Sequence, residues 1–348
     1  MRNLVFDDIA ALPQDCEVEA LAPANIRRGS SQLAAQIRGA VEGPMPSTWR
    51  PQLAGQAASP PTADGWIHEI KFDGFRAIAL VKNGTVRLLT RNGHDWTSRY
   101  GVLAKAFERL PCESAILDGE IAVQDARGVT SLHGLQRALA DGQTHALTFF
   151  AFDLPYLDGR DLRKGRLVDR KAALERLIAS RVQANSPLQF STHCEADGEA
   201  LFARANLLGM EGIVSKRADS PYVHARSASW VKVKQTETKR LVIIGFLSNM
   251  PGRASSLILA EERGGELAYC CRAGAGLTAD DTRELYGILA KIGRDRPAVA
   301  APRKAGARWV EPAWSVEVAF QGRTTLGKPR APVVLSWAHQ LSGFSASR

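Results

Sequence analysis

The chain has 348 residues, 45% of them hydrophobic and 23% charged, with 30 glycines and 17 prolines. That composition excludes collagenous and low-complexity chains, and no apolar run reaches the roughly 18 residues that a membrane span requires. The formal charge is +9; residues 239–348 hold 16 Lys and Arg against 9 Asp and Glu, so the C-terminal third carries +7 and the remainder +2, a balance that suits a polyanionic partner.

In chain order, the opening MRNLVFDDIA puts Asp7 and Asp8 where a secretory signal needs apolar residues, which points to the cytoplasm. Residues 1–45 read as an N-terminal extension, mostly loose, with one short helix in SQLAAQIRGAV (31–41). From Trp66 the runs WIHEIKF, RAIALV and TVRLLT alternate apolar and polar residues around turns such as Asn83-Gly84, as consecutive antiparallel strands do. Helical spacing follows in YGVLAKAFERL, DRKAALERLIASRV and DGEALFARANLLG, interleaved with strand-like SAILDGEIAV, ALTFFAFDL, EGIVSK and SWVKVK. Residues 46–238 therefore read as one α+β domain. Beyond it RLVIIGFL, SSLILAEE, ELAYCCRA, a helix at 278–292 and WSVEVAF recur at short spacing, which predicts a small β-barrel over 239–348. The five cysteines form no CxxC pair and fit reduced thiols better than a disulfide frame or a zinc site.

The chemistry concentrates at strand ends. In Glu69-Ile70-Lys71-Phe72-Asp73-Gly74-Phe75-Arg76 a lysine leaves an alternating strand just before an Asp-Gly turn. Taken alone this is a hairpin with exposed charges. Its company changes that reading: Asp118-Gly119-Glu120 ends one strand, Glu211-Gly212 opens another, and Lys232 and Lys234 share a strand face by the period of two. Carboxylates so placed can hold Mg²⁺, and paired lysines can neutralise phosphate, a combination that suits phosphoryl transfer. Each group taken singly reads as a salt-bridged or solvated side chain.

KFDGFR, TRNG (90–93), LDGE (117–120), AFDLPYLDG (151–159), EGIVSKR (211–217) and WVKVK, in this order, resemble the nucleotidyltransferase motifs of ATP-dependent DNA ligases. PQLA (51–54), SKRADSPY (215–222) and VEVAFQGRTTLGKPRAPV resemble the ligase module of bacterial non-homologous end-joining enzymes. The resemblance implies an ATP-grasp-like nucleotidyltransferase (adenylation) domain followed by an OB-fold, and an enzyme that uses ATP with Mg²⁺ or Mn²⁺. It implies that the Lys71 amine attacks the α-phosphate of ATP, carries AMP and passes it to a 5′-phosphate, which a 3′-hydroxyl then joins. Free lysine has a pKa of about 10.4, so its neighbours must favour the neutral amine; Lys232, Lys234, Arg76 and a bound metal are the groups at hand.

By the same resemblance Glu69 meets the adenine edge, Phe152 stacks on the base, Glu120 meets the ribose or metal, and Glu211 the metal. Lys216 joins the nucleotide site, Arg76 contacts AMP or the nick phosphate, and Arg91 holds the 5′-phosphate. Phe152 can equally be core. Arg330 matches the arginine that orients pyrophosphate, with Lys328 beside it, although Pro329, Ala331 and Val334 stand where the family commonly has leucine, a larger residue and phenylalanine.

The implied partners are duplex DNA with nicks or breaks and the end-binding protein Ku, and the implied protein is a monomer of the bacterial cytoplasm associated with the nucleoid. The length leaves no room for a large helical DNA-encircling domain or for polymerase and nuclease modules, which suggests a stand-alone ligase. Three rivals remain: an RNA ligase, a GTP-using capping-type enzyme, and an inactive module that binds DNA ends. Gly322 to Lys328 fits GxxxxGK, but Pro329 replaces the Ser or Thr of a P-loop; Gly274-Ala275-Gly276 reads as a turn before a helix.

Overall fold

Among the described residues, eleven strands make up the sheets of the first part of the chain: β1 Val41–Glu42, β2 Leu53–Gln56, β3 Trp66–Ile70, β4 Phe75–Lys82, β5 Thr85–Thr90, β6 Ser114–Ala122, β7 Thr148–Leu157, β8 Arg160–Asp161, β9 Leu188–Phe190, β10 Gly212–Arg217 and β11 Arg226–Lys234. The structure is a computed structural model that describes residues 26–179, 186–195, 197–302, 304–322 and 328–339. Residues 1–25 of the expected extension and the middle of the GxxxxGK match lie outside the described residues.

One sheet runs β1-β8-β7-β6-β4-β5, with β9 parallel to β7; the other runs β2-β11-β10-β3, with β2 parallel to β11 and the remainder antiparallel. The period of two in β4 feeds two cores. Ala77, Ala79 and Val81 face one cluster with Leu103, Phe107 and Leu174, while Ile78 and Leu80 face a second with Ile67, Phe152 and Trp230. The second cluster joins residues of both sheets, and fully burying each large side chain there stabilises by about 1.5–3 kcal/mol. β6 lies between β4 and β7 and is buried along most of its length, Asp118 included, although Asp118 and Glu120 interrupt its apolar residues.

Residues 26–45 are not a loose extension. Helix Ile26–Gln36 and the turn after it bury Ala34 and Ile37 in the main core, and Val41–Glu42 pairs with Arg160–Asp161. The helix expected at 100–110 is instead a 3₁₀ run, Thr97–Arg109, interrupted at Gly101, whose φ of 53° lies in the left-handed region. A helix absent from the sequence reading, Leu132–Ala140, starts where the Ser131 hydroxyl accepts the Gly134 N–H at 3.2 Å.

The compact units divide between Lys234 and Gln235. In the second, β12 Glu237–Leu247 begins before the boundary expected after Thr238 and carries that residue with it. It is followed by β13 Ser256–Arg263, β14 Glu266–Ala273, β15 Gly293–Arg294, β16 Ala307–Val310, β17 Trp314–Phe320 and β18 Val333–His339. β12 pairs with β13 along one edge and with β17 and then β16 along the other, bending at a bulge between Ile243 and Gly245. The expected closed β-barrel is not formed by continuous ladders among the described residues. Its ends meet in a single parallel bridge, Ala275 to Val333, with the Val334 N–H donating to the Ala275 carbonyl at 2.8 Å. Helix Ala279–Leu289 has a capping box between Thr278 and Asp281, and the Gly274-Ala275-Gly276 turn precedes it. Among the described residues no helix is long and apolar enough to cross a membrane.

Candidate active site

The first unit holds a cavity of about 450 Å³, a size that accommodates a nucleotide. Lys71 lies on its wall, one residue beyond β3. Its backbone N–H donates to the Gly212 carbonyl at 2.9 Å, so β10 fixes the point at which the chain leaves the sheet. The next turn is fastened at Asp73, whose N–H donates to Thr130 Oγ1 at 2.9 Å and whose Oδ2 accepts the Leu132 N–H at 3.0 Å. Gly74 packs backbone to backbone: a Cβ there would stand 2.1 Å from the Ile121 carbonyl oxygen. The Asp-Gly pair is therefore a packing requirement that aims the preceding lysine.

The Lys71 ammonium is paired with Glu211 Oε2, and Lys234 approaches Glu211 Oε1 at 2.8 Å, so one carboxylate holds both lysines. Lys232, in register with Val214, lines the cavity. Burial pushes its ammonium below the ordinary lysine value, with Lys234, Lys71 and Arg226 adding to the effect and Glu211 opposing it. Arg76 lines the cavity but is already engaged. Its Nε and Nη2 donate to Asp118 Oδ1 and Oδ2 at 2.5 and 2.6 Å, and Nη2 also reaches the Gln52 carbonyl at 3.1 Å. Its guanidinium lies 4.5 Å from the Phe152 ring centre.

Glu69 is 2% exposed. Burial alone would raise its carboxyl, but the charges of Lys171 and Lys216 and their hydrogen bonds hold it below the usual carboxylate value. Lys216, buried beside it, falls to about 8, chiefly through burial and with Lys171 adding to the fall, while Glu69 resists. Glu120 lines the cavity from β6; burial raises its carboxyl to about 7, with Glu211 and Asp118 adding and Lys71 and Arg76 opposing. Arg91 sits on the lining in the turn after β5, and Phe152 closes the wall edge-on to Trp230.

Eight of the residues singled out in the sequence thus share one lining: Glu69, Lys71, Arg76, Arg91, Glu120, Phe152, Lys216 and Lys232. Glu211 and Lys234 join it through Lys71, whereas Arg330 belongs to the second unit. There its N–H donates to the Gly322 carbonyl and its own carbonyl accepts the Gln321 N–H, both at 3.0 Å. Sequence reasoning missed Arg226, a lining residue whose Nη1 caps the Ala54 carbonyl at 2.5 Å. It also missed Lys171 and Ser191 behind Glu69, and Tyr222 behind Arg76. The Tyr222 hydroxyl donates to Asp118 Oδ2 at 2.6 Å and accepts from Trp49 Nε1 at 3.2 Å.

Paired sheets around a lysine-bearing cavity, followed by a bent sheet with a capped helix, constitute a nucleotidyltransferase domain joined to an OB-fold domain. The families described as ATP dependent DNA ligase domain and ATP dependent DNA ligase C terminal region match residues 51–234 and 251–340. The chain belongs to the ATP-dependent DNA ligases. It is 35% identical over 340 residues to the multifunctional non-homologous end joining protein LigD of Pseudomonas aeruginosa, covering 94% of this chain and 39% of that protein. It is 35% identical over 276 residues to LigD of Mycobacterium tuberculosis, covering 77% and 35% respectively. A solved structure of mycobacterial DNA ligase D complexed with ATP and MES is 33% identical, with a TM-score of 0.50 over 82% of this chain and 93% of that one. The chain thus spans less than half the length of these two curated relatives.

Proposed function

We propose that the chain is an ATP-dependent DNA ligase that seals nicks or strand breaks in duplex DNA and serves repair by end joining. The observation that carries this reading is the shared lining: the Lys71 amine opens onto the same nucleotide-sized cavity as a buried carboxylate, an aromatic wall and several cations. The similarity to LigD, one of whose relatives is solved with ATP, supports the choice of nucleotide and pathway.

In the first step the Lys71 nitrogen attacks the α-phosphorus of ATP; an N–P bond forms, the bond to the bridging oxygen breaks, and pyrophosphate leaves. Glu69 and Lys216 take the adenine end and Phe152 the base face. Lys232 and Lys234 balance the phosphate charge, and Arg330 orients the departing pyrophosphate. The 5′-phosphate of the DNA, held by Arg91 and Arg76, then receives the AMP, and the 3′-hydroxyl displaces it. Each step is substitution at phosphorus, so in-line placement and charge neutralisation carry the catalysis.

Among the described residues no three His, Cys, Asp or Glu side chains form a metal-holding group. Glu120 and Glu211, close enough for one to raise the other, fit an ion that takes one or two carboxylates and completes its shell with substrate phosphates and water. Bound there, Mg²⁺ or Mn²⁺ would supply charge stabilisation at the phosphates. The +7 of residues 239–348 suits phosphate tracking by the OB-fold. A monomer of the bacterial cytoplasm and nucleoid, brought to breaks by Ku, completes the proposal.

The test is incubation with α-labelled ATP or GTP, followed by a nicked DNA or RNA challenge. Label from ATP that passes to DNA is expected. Transfer to RNA, or label only from GTP, selects a rival, and a wild-type chain that never takes label refutes the assignment. Lys71→Ala should abolish labelling while still sealing a nick that already carries 5′-AMP.

A further inference from the structure

Glu69 is held from behind. Its Oε1 receives two ammonium groups, Lys216 at 2.8 Å and Lys171 at 3.0 Å, while Oε2 accepts the Ser191 hydroxyl at 2.9 Å. Lys216 lines the cavity; Lys171 and Ser191 do not. Lys171 comes from helix Leu167–Ala179, is 0% exposed, donates to the Ser191 carbonyl at 2.8 Å, and sits 4.5 Å from the Phe190 ring centre. Ser191 follows β9, and its N–H donates to the Ala151 carbonyl beside Phe152 at 2.7 Å. A helix and a short parallel strand, remote in sequence from β3, thus converge on one carboxylate.

A lysine without access to solvent or ligand needs a reason to be ionised inside a protein, because burial of a charge is costly unless it is compensated. The carboxylate within ion-pair distance of Lys171 is Glu69, and Glu69 also holds Lys216. Two ammoniums on one carboxylate leave the group one positive charge in excess, more than a structural ion pair needs. What the surplus does is hold Glu69 ionised with Oε1 turned inward, while Lys216 remains over the Phe152 and Trp230 rings at 4.3 and 4.4 Å.

We propose that Lys171 and Ser191 are positioning residues: together they clamp Glu69, and through it Lys216, so that the cavity presents an acceptor and a donor in fixed register to a nucleobase edge. The proposal rests on the reading that this cavity takes ATP with Glu69 at the base. An exocyclic amine beside a ring nitrogen fits that register, and a carbonyl beside a ring N–H opposes it. The clamp therefore favours adenine over guanine before any chemistry at phosphorus.

The experiment measures self-labelling with ATP and with GTP on full chains of the wild type, Lys171→Met, Lys171→Arg and Ser191→Ala. Circular dichroism confirms that each is folded. Lys171→Met is expected to raise KM for ATP about ten-fold, with kcat within about three-fold, and to narrow ATP-over-GTP selectivity. Lys171→Arg, which keeps the charge, should recover part of the affinity. Ser191→Ala, which keeps the lysine, should move KM the same way by about three-fold and serves if Lys171→Met does not fold. Unchanged KM and selectivity in folded Ser191→Ala, or a fall in kcat at constant KM in Lys171→Met, overturns the clamp. A wild-type chain that takes no label from ATP overturns the underlying assignment as well, whereas a labelled wild type with indifferent variants overturns the clamp alone.

Discussion

Arg76 and Asp118 are joined by two near-parallel hydrogen bonds of 2.5 and 2.6 Å, and Asp118 is 0% exposed. The arginine that follows the Asp-Gly turn is thus pre-set by the strand that carries Glu120, two residues further on. Asp118→Asn would leave a guanidinium facing a neutral group in the interior. It is expected to cost roughly 3 kcal/mol or more in denaturant unfolding and to lower nick sealing with it. Tyr222→Phe, which removes one donor to the same carboxylate, should cost about 1.5–3 kcal/mol.

Gly74→Ala tests whether the Asp-Gly turn aims the lysine. The added carbon meets the Ile121 carbonyl, a backbone atom that cannot move aside by rotating. A loss of about 1–3 kcal/mol in stability is expected. Self-labelling should fall by about 100-fold through displacement of Lys71, with labelling measured well below the melting temperature.

Glu120 sets a pH dependence. Its folded value of about 7 lies above the ordinary 4.5, so the native chain binds this proton more tightly than the unfolded one. The contribution to stability is therefore fully present below about 4.5 and is lost as the pH rises through about 7. Relative to wild type, Glu120→Gln should show a flatter stability profile across that window. Activity should run the other way, because a divalent ion and the proton compete for the same oxygens: at limiting Mg²⁺, labelling should rise with pH through about 7.

Arg330→Ala separates the steps. If this arginine orients pyrophosphate, adenylation from ATP should fall at least about ten-fold more than the sealing of a nick that already carries AMP. Equal losses in both assays would remove that role.

Which features could be read from the chain follows from the range of the interactions that make them. The strand pattern is local: apolar alternation and period-two spacing placed β3 to β7, β10 and β11, and eight of the chosen residues line one cavity. Asp118 and Glu120, expected where a strand ends, instead lie inside β6, paired on both sides. The support behind the chosen residues is not local. Tyr222 reaches Asp118 across 104 positions and Lys216 reaches Glu69 across 147, and no spacing rule announces such pairs. The helical reading of 100–110 holds only as a 3₁₀ run, kinked at Gly101, where φ is positive. The short helix expected at 31–41 lies at Ile26–Gln36, and the chain around it is not loose because that helix and the turn after it are packed through Ala34 and Ile37. The small β-barrel expected over 239–348 is present as a bent sheet whose ends, among the described residues, meet in one bridge.

The placement of β6 has a kinetic corollary. A strand bonded on both sides surrenders its amide protons only when a neighbour detaches, whereas the Thr90 to His94 turn that bears Arg91 can breathe by itself. Deuterium should therefore enter the rim of the cavity quickly and its floor among the last places in the unit. Loosening at that rim would then cost the chain little of the geometry beneath.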